Sequence, residues 1–195
     1  MTTAPATLVL NAEQIHQKIR RIAFQIYENN FDETALLLAG ISGEGYVLAQ
    51  ALAAELSTIA PFSVKLIQLA LDKAQTAQPI VQPVDSTTES TAAESTAAES
   101  TGDESLRANF TAAEFTDKVI IVVDDVLYTG RTLAFSLQPF LQVPVRKLQV
   151  AVLVDRNYPR YPVAADYKGY ELSTTLTEHV EVVLSDEARK GVYLK

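Results

Sequence analysis

The sequence predicts an α/β domain with a central, mainly parallel sheet flanked by helices. Three observations lead there. Apolar runs of strand length alternate with amphipathic stretches of helix length along most of the chain. The run VIIVV at 119–123 is apolar and rich in β-branched residues, as strands covered on both faces are. Two adjacent aspartates, Asp124 and Asp125, follow it, at the carboxyl end of a strand, where ligands bind in open α/β sheets. A chain of 195 residues with 48% hydrophobic content can bury one full core, so a single domain over residues 1–195 is expected.

Each element follows from local pattern. AEQIHQKIRRIAFQIYENN places Ile15, Ile19, Ile22, Phe24 and Ile26 on a broadly helical period, with Asn11 as the cap. TALLLAG at 34–40 predicts a buried strand, and ISGEGYVLAQALAAEL a glycine loop opening into a helix rich in alanine and leucine. FSVKLIQLAL at 62–71 predicts another strand. After the acidic pair, RTLAFSLQPFL predicts a helix, KLQVAVLVD a strand and VEVVLS one more.

Between about 75 and 116 this alternation lapses. TTESTAAESTAAESTGDES repeats Glu-Ser-Thr-Ala-Ala with almost no large apolar residue, so it has no core to bury. A low-complexity insertion on a flexible hairpin is expected there. A short surface helix is the rival, because alanine and glutamate favour helix while serine and threonine do not.

Charge and composition exclude several classes. The chain carries 24 acids against 16 bases, a balance that argues against a surface built for nucleic-acid phosphates. With no cysteine, disulfides, thiolate chemistry and the common zinc-finger spacings are excluded. No run approaches the ~18 apolar residues of a membrane span, and the first residues lack the basic start and apolar core of a secretory signal. No membrane partner and a cytoplasmic location are the expectation.

The chemistry centres on VVDDVLYTGRTL. Two carboxylates at a strand end can bind a metal, accept hydrogen bonds from vicinal sugar hydroxyls, or act as acid and base. The turn that follows supplies backbone donors, two threonine hydroxyls and a helix amino terminus, which suit a phosphate. Together they describe a phosphorylated sugar. The plainer alternative is an acid pair ending a strand, with Thr129 capping the next helix.

VIIVVDDVLYTGRTL resembles the phosphoribosyl pyrophosphate signature of the type I phosphoribosyltransferases, in the form found in the pyrimidine-operon attenuator and uracil phosphoribosyltransferase branch. RIAFQIYE, LLLAGISGEGYVLAQAL and LQVAVLVDRNYPRYPVAADYKGYELSTT extend the similarity over nearly the whole chain outside the Ser/Thr/Glu tract. The resemblance implies the type I fold, with a small hood and a long flexible hairpin over the site. It implies that Asp124 and Asp125 hold the ribose 2- and 3-hydroxyls and face Mg²⁺ directly or through water. The turn Val126, Leu127, Tyr128, Thr129, Gly130, Arg131 and Thr132 would carry the donor, wrapping its 5-phosphate.

By the same resemblance Ile41, Ser42, Gly43, Glu44 and Gly45 form the pyrophosphate loop. Relatives in that branch have basic side chains there, whereas this chain has Ser42 and Glu44. An acid facing pyrophosphate lowers affinity and turnover unless it points away or addresses the metal. Residues 155–175 would form the hood over the base, with Arg156, Tyr158 and Tyr161 as base contacts and Tyr167 and Tyr170 as further flat faces. Lys73 would sit on the lid hairpin. Purine-using relatives place an aspartate where Tyr128 stands, so a pyrimidine such as uracil, or another base, is the expected acceptor.

The resemblance further implies a homo-oligomer, dimer or tetramer. It also carries two alternatives: an RNA-binding, pyrimidine-responsive attenuator, and a non-catalytic nucleotide sensor. Lys18, Arg20 and Arg21, with His16 nearby, are the candidate basic face for RNA; the acidic balance and Phe24, where the attenuators have a histidine, weigh against it. His179, just before a strand, is expected to be structural.

Overall fold

The computed structural model describes residues 6–70, 80–82, 112–173 and 178–195. Lys73, the Ser/Thr/Glu tract and residues 174–175 of the expected hood lie outside them, as does most of the expected insertion at 75–116.

Helix α1 (Ala12–Asn29) starts where the sequence says it should. Asn11 Oδ1 accepts from Gln14 N, and Gln14 Oε1 accepts from Asn11 N, both at 2.9 Å, a reciprocal cap that satisfies two otherwise orphaned donors. Ile15, Ile19, Ile22, Ala23 and Ile26 are buried, each isoleucine contributing about 2 kcal/mol relative to exposure. Phe24 departs from the expected stripe. Two positions past Ile22, it turns some 200° around the helix axis and lies 40% exposed beneath Arg20.

The main sheet comprises β2 (Ala35–Ile41), β3 (Ser63–Ala70), β4 (Ile80–Gln82), β5 (Val119–Leu127), β6 (Lys147–Asp155) and β7 (Tyr167–Glu171), in the order β4-β3-β2-β5-β6-β7. All neighbours are parallel except β4, which runs antiparallel on the β3 edge. Helix α2 (Glu44–Ile59) joins β2 to β3, the short α3 (Ala112–Phe115) precedes β5, and α4 (Arg131–Leu141) joins β5 to β6.

Period-two alternation divides the core into two layers. Leu36, Leu38, Ile121 and Val123 pack on one face with buried residues of α1 and α2. Leu37, Ala39, Ile120 and Val122 pack on the other with Phe115, Leu133 and Phe140. Phe115 and Phe140 meet edge to face, their centroids 5.1 Å apart.

A second sheet joins β1 (Thr7–Asn11), β9 (Gly191–Leu194) and β8 (Val180–Val183) in that order, antiparallel throughout. Its Leu10, Val180, Val182 and Val192 join the core on the α1/α2 face of the main sheet. Within the stretch expected as hood, Tyr167–Glu171 form β7 of the main sheet. Tyr167 is accordingly a core residue, 1% exposed, and Tyr170 is half-buried beneath Lys18.

Candidate active site

The crevice arises from strand order. From β2 the chain moves to one side, to β3, and from β5 it moves to the other, to β6 and β7, so β2 and β5 flank the switch point where open sheets bind ligands. Pairing of β2 with β5 stops at Gly40↔Val123, while β5 stays paired with β6 as far as Leu127↔Asp155. The β2 side therefore opens beside Asp124. Strand β5 runs four residues past the apolar run, so the aspartates lie within it and not after it.

Asp124 is 6% exposed, and its Oδ1 accepts from Asp125 N at 3.0 Å. Burial pushes the Asp125 carboxyl above its ordinary value; hydrogen bonds from Asp124 and from the Asp125 and Val126 amides oppose this, and the nearby Glu44 charge adds to it. The pair is thus poorly solvated and close to a third acid. Such carboxylates gain from hydroxyl or cation partners supplied by a ligand.

Across the opening lies the loop from Ile41 to Gly45. Gly43 has φ +94°, a conformation that side-chain-bearing residues rarely adopt, and it starts α2 without a side-chain cap. Gly45 is buried against the acidic strand. A Cβ there would sit 3.1 Å from Asp124 Cα, Asp124 Oδ1 and Val123 O, so a larger residue would push the two site segments apart by a few tenths of an ångström. Ser42 is spent on the neighbouring strand, its N and Oγ both donating to Leu69 O, at 2.9 and 2.8 Å. What the loop offers an anion is backbone: the first-turn amides of α2 with the helix dipole behind them.

Glu44 resolves the conflict posed by an acid in this loop. Its carboxylate turns to the small sheet, accepting from Leu184 N at 2.7 Å, Ser185 N at 3.0 Å and Ser185 Oγ at 2.5 Å. No local signal in the sequence marks Leu184 or Ser185, which lie 140 and 141 residues away.

The turn after β5 is held from behind. Thr129 O accepts from Arg160 N at 2.9 Å and Tyr161 N at 3.1 Å. Gly130 caps α4 with φ +81°, beneath the Tyr161 backbone. Thr129 Oγ1 leans toward Arg131 N at a long 3.4 Å, so the hydroxyl is weakly engaged and the helix has no side-chain cap. The expected base contacts all meet this turn. Tyr158 stacks on Tyr128 with centroids 5.7 Å apart and planes at 25°. Arg156, 3% exposed, places its guanidinium carbon 3.9 Å from the Tyr128 centroid and donates from Nη2 to Glu178 O at 2.7 Å. Arg160 covers the Tyr158 ring at 5.4 Å. The Arg156 guanidinium, expected to meet a base, packs on the Tyr128 ring.

Asp155, at the end of β6, is 5% exposed, bound by Lys168 Nζ at 2.7 Å and by Asn157 N at 2.9 Å. Among the described residues, no three histidine, cysteine, aspartate or glutamate side chains converge as a metal site. Two adjacent carboxylates match the way Mg²⁺ is usually held, by one or two carboxylates with the remaining positions filled by water and substrate phosphate oxygens. No helix among the described residues is long and apolar enough to cross a membrane.

Residues 7–187 match the phosphoribosyl transferase domain family. The Bifunctional protein PyrR of Deinococcus radiodurans is 30% identical over 187 residues, covering 94% of this chain and 91% of that protein. The protein of the same name from Bacillus velezensis is 32% identical, covering 92% and 90%. Of solved structures, the hypoxanthine phosphoribosyltransferase of Trypanosoma cruzi matches with TM-score 0.68 at 14% identity over 96% of this chain and 95% of that one. A hypoxanthine-guanine phosphoribosyltransferase from Bacillus anthracis matches with TM-score 0.65 at 18% identity, covering 96% of each. At such identities the likeness is one of fold.

Proposed function

The chain belongs to the phosphoribosyl transferase family and is a phosphoribosyltransferase; we propose that it moves phosphoribose from phosphoribosyl pyrophosphate to a nucleobase, uracil or another base. The observation that carries this reading is the β2–β5 switch point, where Gly45 brings the glycine loop against Asp124.

In the reaction a base nitrogen forms a bond to the anomeric carbon as the carbon–oxygen bond to pyrophosphate breaks. The bonding electrons leave with pyrophosphate, and the nitrogen gives up its proton. Asp124 and Asp125 would accept hydrogen bonds from the ribose 2- and 3-hydroxyls, fixing the ring while positive charge develops at its anomeric carbon. Their negative field favours that charge. Val126 and Leu127 would contribute to the donor site and the turn Tyr128, Thr129, Gly130, Arg131 and Thr132 would wrap the 5-phosphate, while the loop Ile41, Ser42, Gly43, Glu44 and Gly45 would hold the leaving group through the first-turn amides of α2. Mg²⁺ would sit at Asp124 and Asp125, directly or through water, and neutralise pyrophosphate charge when bound.

Tyr128 and Tyr158 would form the base wall with Tyr161 beside it, and Arg156 would act from behind Tyr128. A single domain with an insertion at about 75–116 carrying Lys73 as a lid residue, a homo-oligomeric state and a cytoplasmic location complete the proposal, all by family resemblance.

The alternative of an RNA-responsive attenuator draws support from the bifunctional relatives. The candidate basic face is partly engaged within the chain, with Arg20 and Arg21 exposed. Arg21 Nη2 donates to Lys168 O and Gly169 O, Arg20 lies over Phe24, and Lys18 over Tyr170. Base-dependent pyrophosphate release with Mg²⁺, donor and a panel of uracil, orotate, hypoxanthine, guanine, adenine and xanthine would support the enzyme and name its acceptor. Silence across the panel with donor binding intact would point to the sensor. Salt-sensitive RNA binding would revive the attenuator.

A further inference from the structure

Glu44 joins three parts of the site in one residue. Its backbone opens α2 between Gly43 and Gly45, at the end of the loop assigned to pyrophosphate. Its charge is felt at Asp125. Its carboxylate is occupied by the segment that follows β8, through Leu184 N, Ser185 N and Ser185 Oγ at 2.5 to 3.0 Å. Both backbone donors converge on Oε2 while the hydroxyl takes Oε1, so both carboxylate oxygens are used.

The partner segment has its own link to the site. Strand β8 follows Glu178, whose carbonyl accepts from Arg156, the residue under Tyr128. The small sheet is therefore gripped at both ends of β8: at its start by the residue behind the base wall, and just past its end by the pyrophosphate loop. The Glu44 side chain is thus committed to the segment after β8.

We propose that Glu44 is a positioning residue that latches the small sheet to the pyrophosphate loop and, through the Glu178–Arg156 contact at the other end of β8, sets the Tyr128 wall against which the acceptor base would lie. The functional part rests on the transferase reading. A latch needs an acceptor in the right place more than it needs a charge: a glutamine can still accept from the two amides through its carbonyl oxygen and donate to Ser185 Oγ. Charge and latch are therefore separable by substitution.

The test compares Glu44→Ala, Glu44→Gln, Ser185→Ala and the double variant Glu44→Ala with Ser185→Ala, in the full chain. The readouts are KM for the acceptor, KM for phosphoribosyl pyrophosphate, kcat, and amide hydrogen exchange at Leu184, Ser185 and along β8. Glu44→Ala is expected to raise the acceptor KM about tenfold, the size of one charge-assisted hydrogen bond, and to speed exchange at Leu184 and Ser185. Ser185→Ala should give a smaller effect, absent on the Glu44→Ala background, and Glu44→Gln should retain both the acceptor KM and the protection. Equal behaviour of Glu44→Gln and Glu44→Ala, with the change confined to the donor KM, would overturn the latch in favour of simple charge repulsion. Unchanged exchange in Glu44→Ala would overturn it as well. If the wild-type chain shows no base-dependent turnover, the transferase reading fails, and the exchange pattern alone decides whether the anchor stands.

Discussion

The Arg156 guanidinium carbon lies 3.9 Å from the centroid of the Tyr128 ring, while the Arg156 amide donates to Leu127 O at 2.9 Å. One residue at the end of β6 thus supports the turn after β5 through both backbone and side chain. Stacking of a desolvated guanidinium on an aromatic face contributes about 2 kcal/mol. Arg156→Lys, which keeps the charge but loses the planar fork, is expected to lower kcat by about tenfold or more while changing the midpoint of thermal unfolding only modestly. Steady-state kinetics beside calorimetry checks it; wild-type kinetics in Arg156→Lys would remove Arg156 from the site.

Gly45→Ala tests the contact between loop and acidic strand. The new methyl would meet backbone and carboxylate of Asp124 and the Val123 carbonyl at 3.1 Å, closer than ordinary contact, so loop and strand must separate. Overpacking of this kind typically costs about 1–3 kcal/mol. The expected signature is a donor KM raised far more than the acceptor KM.

Asp125 should set function against stability. Its folded pKa is raised, chiefly by burial, so the folded chain holds this proton more tightly than the unfolded chain does. Stability from this group is full below the unfolded pKa and is lost as pH climbs through the folded one. Asp125→Asn is thus expected to raise the unfolding midpoint near neutral pH in the absence of donor and Mg²⁺, with the gain shrinking on acidification. Combined with Asp124→Asn it should abolish donor binding while the fold persists. Calorimetric titration with phosphoribosyl pyrophosphate measures this, and retained affinity would sink the donor-site assignment.

Far from the crevice, Asn30 is wholly buried. Its Nδ2 donates to Ile26 O at 2.9 Å and lies 3.3 Å from the Tyr167 hydroxyl, while Lys147 Nζ donates to its Oδ1 at 2.9 Å. Asn30→Ala should cost about 1–3 kcal/mol, the penalty for a broken buried network, measured by denaturant unfolding. Kinetic constants should stay near wild type, because none of these groups lines the crevice.

Legibility in the sequence followed range of interaction. The cap at Asn11, the strand at 147–155 and the helix at 131–141 were readable because neighbours within a few residues decide them. Phe24 was misplaced because a loose helical period overlooks a two-residue offset. Strands β1, β8 and β9 have five residues or fewer, and β1 pairs with β9 across nearly the full chain, Thr7 opposite Leu194. No local pattern encodes such a partner. Tyr167 was one of four tyrosines that local pattern could not sort between ligand and core; pairing with β6 placed it in the core.

By itself the sequence determined the alternating α/β order, the acid pair at the end of a buried strand, and the glycines around it, since these depend on apolar periodicity and local backbone freedom. Tertiary structure alone decided that Glu44 serves the small sheet and that Arg156 serves Tyr128. Both outcomes depend on which strands diverge at the switch point and which chain ends meet, and a side chain's partner is chosen by the nearest unsatisfied donor or acceptor in space rather than along the chain.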